Sequence, residues 1–85
     1  MEVRIQSIHF DASEKLEAFI QKKAEKLEKF CDNIKKVEVS LKVVKPETAM
    51  NKEAGVRVLA LNTEFYAEKV SDTFEESIDV CMDAL

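Results

Sequence analysis

The residues best placed to do chemistry in this 85-residue chain are lysines along one segment. With Lys15 set at 0° and about 100° per residue on a helix, Lys15, Lys22, Lys26 and Lys29 fall between about −40° and 20°. Glu14, Glu17, Glu25, Glu28 and Asp32 fall between about −160° and −80°. Leu16, Phe19, Ile20, Ala24, Leu27, Phe30 and Cys31 span about 40° to 180°. The segment therefore sorts into apolar, basic and acidic stripes. Two readings of the basic stripe stand. One is a solvated helix laced by pairs such as Glu25 with Lys29, which would tend to mix the signs. The other is a row of ammonium groups roughly 6–11 Å apart, from the 1.5 Å rise per residue, a spacing that suits successive phosphates of an RNA backbone. Lys23 stands apart. At about 80° it points into the apolar arc, so its stem must cross an edge of the core and its ammonium emerge near the groove between helices.

Other chemistry finds little support. His9 is the one histidine and ends a strand, where it reads as a surface or edge residue. No G-x-x-x-x-G-K-[ST], H-E-x-x-H or nucleophile motif occurs, and a single Gly excludes a Gly-rich phosphate loop. Cys31 and Cys81 lack partners at metal-ligand spacing, and both fall on apolar helical positions. They read as small buried hydrophobes, with a redox or regulatory role the alternative. Glu75, Glu76, Asp79 and Asp83 form the outer arc of a second helix. A solvated face is the simpler reading, a divalent-metal site or paired acid and base the sharper one. No cofactor, metal or small-molecule substrate is expected.

The elements that must carry these residues follow from periodicity. Residues 2–8 alternate, with Val3 and Ile5 on one face and Glu2, Arg4 and Gln6 on the other. Residues 13–32 are helical, started by Ser13, or by Asp11 with Glu14, and ended by Asn33. Residues 37–44 form a second strand, stopped by Pro46, and residues 45–53 a loop closed by Gly55. Strands at 56–61 and 64–70 make a hairpin about an Asn62-Thr63 turn. Asp72 with Glu75 resembles a capping box, after which Phe74, Ile78, Cys81, Met82 and Leu85 mark an amphipathic helix. The order β-α-β-β-β-α predicts a two-layer α+β domain. Its first two strands are parallel through a right-handed crossover, two helices cover one sheet face, and the other face is wet.

Length and charge set bounds. Eighty-five residues make one domain, 1–85, with a single layer-on-layer core. No apolar run nears the roughly 20 residues of a membrane span. The start MEVRIQSIHF has no signal-peptide h-region, so a cytoplasmic location is expected. The net charge of −4 argues on its face against nucleic acid. Its distribution argues otherwise: residues 13–36 hold seven Lys and five acidic residues, whereas residues 45–85 hold four basic and nine acidic ones. A protein–protein adaptor using the wet sheet face or the acidic second half is the competing reading. The last turn carries no Gly, Pro, Lys or Arg, so the chain is expected to end inside its second helix.

The opening MEVRIQSIHFDAS leads straight into the helix, and KKAEKLEKFCDNIKKVEVSL follows a K-x-x-K-L-x-(x)-aromatic pattern with Asp, Ile and the second strand after it. The segment E-E-S-I-D is similar to an A-A-I-D signature, with Asp79 as its Asp. Over essentially its whole length the chain resembles the ribosome hibernation-promoting factors, also called ribosome-associated inhibitor A or ribosomal subunit interface proteins. The resemblance implies a fold like that of double-stranded-RNA-binding domains. It also implies binding to the small ribosomal subunit of stressed or stationary bacteria, in the channel for messenger and transfer RNA. Translation would be blocked by steric and electrostatic occlusion, without catalysis, by a protein that is monomeric off the ribosome. Lys23 and Lys26 match the family's basic positions, and Lys22 and Lys29 extend them. The implied ribosomal-RNA-binding set, with Lys15, is Lys15, Lys22, Lys23, Lys26 and Lys29. Two positions depart from the pattern: Glu75 stands where Tyr is usual, and Asp83 lies where members continue into a Lys/Arg-rich stretch. The chain would correspond to a short form lacking the domain that pairs two ribosomes.

Overall fold

The computed structural model describes residues 2–8, 10–30, 33–45, 47 and 49–84. The roles expected of His9, Cys31, Asp32, Pro46 and Leu85 lie outside them. The elements run β1 (Glu2–Ile8), α1 (Glu14–Phe30), β2 (Ile34–Val43), β3 (Lys52–Ala60), β4 (Thr63–Ser71) and α2 (Phe74–Ala84). The sheet has the order β1-β2-β3-β4. The β1–β2 pair is parallel, joined through α1, and the other pairs are antiparallel. This is the α+β order that the periodicity predicts.

Alternation builds the core. Val3, Val37, Val58 and Phe65 lie in register across the strands, as do Ile5, Val39, Val56 and Ala67. Ile20 and Ala24 of α1 and Ile78 and Cys81 of α2 join the central residues of these rows in one buried cluster. Both helices therefore share one sheet face, α1 beside β1 and α2 over β3 and β4, with the helices in contact. The Phe10 and Phe74 rings stack at 5.1 Å and close one end of the core. Burial of a large aliphatic side chain contributes roughly 1.5–3 kcal/mol; Ile20, Ile78, Val37, Val39, Val56 and Leu41 are all at 0% exposure.

The helix starts are fixed by hydroxyls. Ser13 Oγ accepts the Leu16 N–H at 3.1 Å, so Ser13, rather than Asp11, caps α1. Thr73 Oγ1 accepts the Glu76 N–H at 3.1 Å, so Thr73, rather than Asp72, caps α2. Asp72 instead accepts the Met50 N–H at 2.8 Å and pins the β2–β3 loop. Asn33 takes the left-handed conformation expected of it, φ 67°, and its carbonyl accepts the Leu61 N–H at 3.0 Å.

Several boundaries differ from the sequence expectation. The second strand starts at Ile34, where a bulge between Ile34 and Lys36 breaks the alternation that marks it from Val37 onward. The third starts at Lys52, because Lys52–Gly55 pair with strands on both sides despite their poor strand propensity. Gly55 therefore sits inside β3 instead of closing a loop. A Cβ there would lie 2.6 Å from Tyr66 Oη, so any larger residue would push the exposed Tyr66 side chain aside. The β3–β4 turn is Leu61-Asn62, since Ala60 pairs with Thr63, and Asn62 takes φ 67°.

Polar burial is compensated. Ser77 Oγ donates to the Lys52 carbonyl at 2.7 Å, Ser71 Oγ donates to the Thr73 carbonyl at 2.7 Å, and the two hydroxyls lie 2.7 Å apart. Two protons thus serve three short contacts, and this network ties the start of β3 to α2. The buried Cys81 thiol donates to the Ala54 carbonyl at 3.5 Å, as its place on the apolar stripe implies.

Burial, with a further contribution from the Glu68 charge, pushes the Cys81 thiol from 9.0 up to about 11. The folded state keeps this proton longer than the unfolded state does. Its contribution to stability is therefore complete below about pH 9 and lost as pH rises toward about 11. Urea unfolding midpoints should fall across this window, and Cys81→Ala should flatten the decline. An unchanged alkaline slope in the variant would remove Cys81 as its source.

Candidate nucleic-acid interface

The interface is built on α1. Seventeen residues without Gly or Pro give a straight run from Glu14 to Phe30. Leu16, Ile20 and Ala24 are buried against the sheet, which fixes the rotation of the helix and turns Lys15, Lys22, Lys26 and Lys29 outward. All four are exposed. Among the described residues, none of the four takes part in an ion pair.

Lys22, Lys26 and Lys29 line one shallow depression along α1, together with Phe19, Lys23, Glu25 and Phe30. A second, narrower depression adjoins it between the helices, with Lys23, Lys26 and Phe30 common to both and Leu27, Asp79, Met82 and Asp83 completing it. Lys15 shares the stripe but lies about 10 Å farther back along the axis from Lys22, at 1.5 Å per residue, and lines neither depression. The structure thus brings together four of the five lysines of the expected set.

Lys23 behaves as its angle implies. Its stem crosses the edge of the core, and its Nζ reaches Asp79 Oδ1 of α2 at 2.6 Å, 5.4 Å from the centre of the Phe19 ring. The two side chains are 30% and 46% exposed, so this is a partly screened surface pair. It makes Asp79 different from Glu75, Glu76 and Asp83. The acidic arc of α2 is not a uniform solvated face, because one of its members ties α2 to α1. Among the described residues, no group of three or more His, Cys, Asp or Glu is placed to hold a metal ion.

Two residues of the groove were not expected in it. Glu25 belongs to the acidic stripe, yet it reaches the rim of the basic depression. Phe30 falls in the apolar arc and was expected in the core, but it is 78% exposed. Phe30 is the last residue of α1 and borders both depressions. At about 60° Phe30 also sits near the basic edge of the apolar arc; that position is the sequence signal for its place beside the lysines in the groove.

The opposite sheet face looks different. Lys36 Nζ lies 3.6 Å from Glu2 Oε2 and 3.5 Å from Glu38 Oε1, and Arg57 Nε lies 2.9 Å from Glu64 Oε1. The Arg57 guanidinium sits 5.9 Å from the Tyr66 ring centre, and Tyr66 Oη donates to Glu68 Oε2 at 2.8 Å. That bond favours the protonated phenol and raises its pKa. On this face Lys36 and Arg57 are paired with carboxylates, whereas Lys15, Lys22, Lys26 and Lys29 of α1 enter no ion pair among the described residues.

A two-layer α+β domain with an open sheet face and a lysine-lined helix surface is thus in place. Residues 3–85 match the family described as Sigma 54 modulation protein / S30EA ribosomal protein, and the chain belongs to that family. The fold is shared with a ribosomal subunit interface protein from Coxiella burnetii, with TM-score 0.86, 19% identity, and coverage of 99% of this chain and 88% of that one. It is also shared with the N-terminal domain of Protein Y from Thermus thermophilus, with TM-score 0.81, 16% identity, and coverage of 99% and 90%. No curated protein matches the chain. The family match agrees with the resemblance carried by the first helix and the E-E-S-I-D segment.

The exposure of Phe30 has a direct consequence. In the 85-residue chain, Phe30→Ser should change the urea unfolding free energy by no more than about 0.5 kcal/mol, as at ordinary surface positions. Ile20→Ala, in the same helix, should cost about 2–5 kcal/mol. A loss at Phe30 comparable with that at Ile20 would place its ring in the core.

Proposed function

We propose that this protein binds the small ribosomal subunit through ribosomal RNA and inhibits translation by occupying the channel for messenger and transfer RNA. The observation that carries the reading is the set of exposed lysines on one face of α1 in a chain of a ribosomal protein family. Lys22, Lys26 and Lys29 lie on consecutive turns and present ammonium groups along a line, without carboxylate partners among the described residues. Such a row neutralises a phosphate backbone and releases its counterions. Phosphate contacts position a protein without reading sequence, and positioning is all that occlusion requires.

In this reading the protein acts as a plug. It needs no cofactor and transforms no substrate. It works in the cytoplasm of stressed or stationary bacteria, as a monomer when off the ribosome. Lys15 extends the row toward the start of α1, and Lys23 stands at the inner edge of the groove. Exposed charges more than about 8–10 Å from the row are largely screened at physiological salt; of the acidic second half, Asp79 and Asp83 line the groove itself.

Co-sedimentation with purified small subunits tests the reading. Replacing Lys22, Lys26 and Lys29 together with Glu should abolish it while the circular dichroism spectrum stays native. Wild-type affinity should fall steeply with salt, by roughly 0.7–0.9 in log K per log unit of salt for each phosphate contact. Gly55→Ala, which displaces Tyr66 on the open sheet face, should leave binding intact. The reverse pattern, with binding lost on the sheet face and retained without the lysines, would favour a protein–protein adaptor.

A further inference from the structure

Lys23 is held differently from the other lysines of the groove. Its ammonium is shared with Asp79 Oδ1 at 2.6 Å, across the line where α1 meets α2. Lys22, Lys26 and Lys29 face solvent, where their counterions are dissolved ions that RNA can displace. For Lys23 the counterion is part of the protein. A phosphodiester carries one negative charge, as the Asp79 carboxylate does. Exchanging one for the other leaves the charge around Lys23 unchanged, and the cation released from the phosphate is offset by one drawn to the freed Asp79 carboxylate. It also leaves Asp79 unpaired beside an RNA backbone. The pair is exposed enough to open, so the exchange is possible but brings no electrostatic gain on its own.

We propose that Asp79 is a specificity-determining residue that withholds Lys23 from indiscriminate phosphate binding. Generic single-stranded RNA is held by the outer row, Lys22, Lys26 and Lys29. Its backbone is kept out of the groove between the helices by the Asp79 charge and by the absence of any gain at Lys23. Only a rigid RNA surface whose shape brings a phosphate to Lys23, and whose other contacts offset the displacement of Asp79, engages the inner lysine. This inference rests on the reading of the lysine row as a phosphate-binding surface, and it adds a means by which that surface discriminates folded ribosomal RNA from bulk RNA.

The test measures the affinity of a single-stranded oligoribonucleotide as a function of salt for the wild type, Lys23→Met, Asp79→Asn and the double variant. Urea unfolding confirms that each remains folded. Lys23→Met should leave the salt slope of the wild type unchanged. Asp79→Asn should tighten oligoribonucleotide binding about 3- to 10-fold at low salt and steepen the slope by roughly 0.7, the increment for one more phosphate contact on a single strand. The double variant should return to the wild-type slope, since the added contact belongs to Lys23. A lower slope in Lys23→Met alone would show that Lys23 binds phosphate despite its partner and would overturn the proposal. So would an unchanged slope in Asp79→Asn. The underlying reading fails separately, if the combined change of Lys22, Lys26 and Lys29 to Met leaves the slope where it was.

Discussion

Both helices must bury their apolar stripes on the same face of one four-stranded sheet, and this constraint sets everything else. Val37, Val39 and Leu41 of β2 and Ala54, Val56 and Val58 of β3 form a continuous floor under Ile20, Ala24, Ile78 and Cys81. A helix seated on such a floor has no rotational freedom left. Once Leu16, Ile20 and Ala24 point down, Lys22, Lys26 and Lys29 must point out, and Lys23 must emerge at the seam with α2. The lysine-lined surface is a by-product of core packing, carried on a helix whose own sequence is interrupted by neither Gly nor Pro.

Net charge is a poor guide to such a surface. The chain carries −4, yet its cations are concentrated where they face outward together. On the open sheet face Lys36 pairs with Glu2 and Glu38, and Arg57 with Glu64. Pairs of this kind contribute little stability, about 0–1 kcal/mol each. Their effect is to match the Lys36 and Arg57 cations with carboxylates, a match that the outer lysines of α1 do not have among the described residues. A ligand at the α1 face would meet, within a Debye length of about 8–10 Å, the local row of ammonium groups and the carboxylates beside it.

Much of this was legible in the sequence because two periods, 2 and 3.6, are cleanly written in it. The strand order, the shared helix face and the three stripes of α1 all follow from them. The angle of Lys23 alone placed its ammonium at the helix seam. What could not be read has identifiable physical causes. The bulge between Ile34 and Lys36 hides the start of β2 from any alternation test. Lys52 and Glu53 are strand residues because neighbours pair with them, which is a tertiary fact. Gly55 resembles loop punctuation, yet it lies inside β3 under the Tyr66 side chain of the next strand. Thr73 took the cap that Asp72 seemed to offer, because Asp72 was drawn to the Met50 amide. Phe30 has the spacing of a core residue but stands at the last position of α1, 78% exposed.

The central claim is that the outer face of α1 is the side that meets the ribosome. Amine-reactive footprinting of the free protein and of its complex with the small subunit, read residue by residue by mass spectrometry, tests it directly. The account predicts that Lys22, Lys26 and Lys29 become protected on binding, while Lys42, exposed on the open sheet face, stays as reactive as in the free protein. Protection of Lys42 with the three α1 lysines left reactive would contradict it.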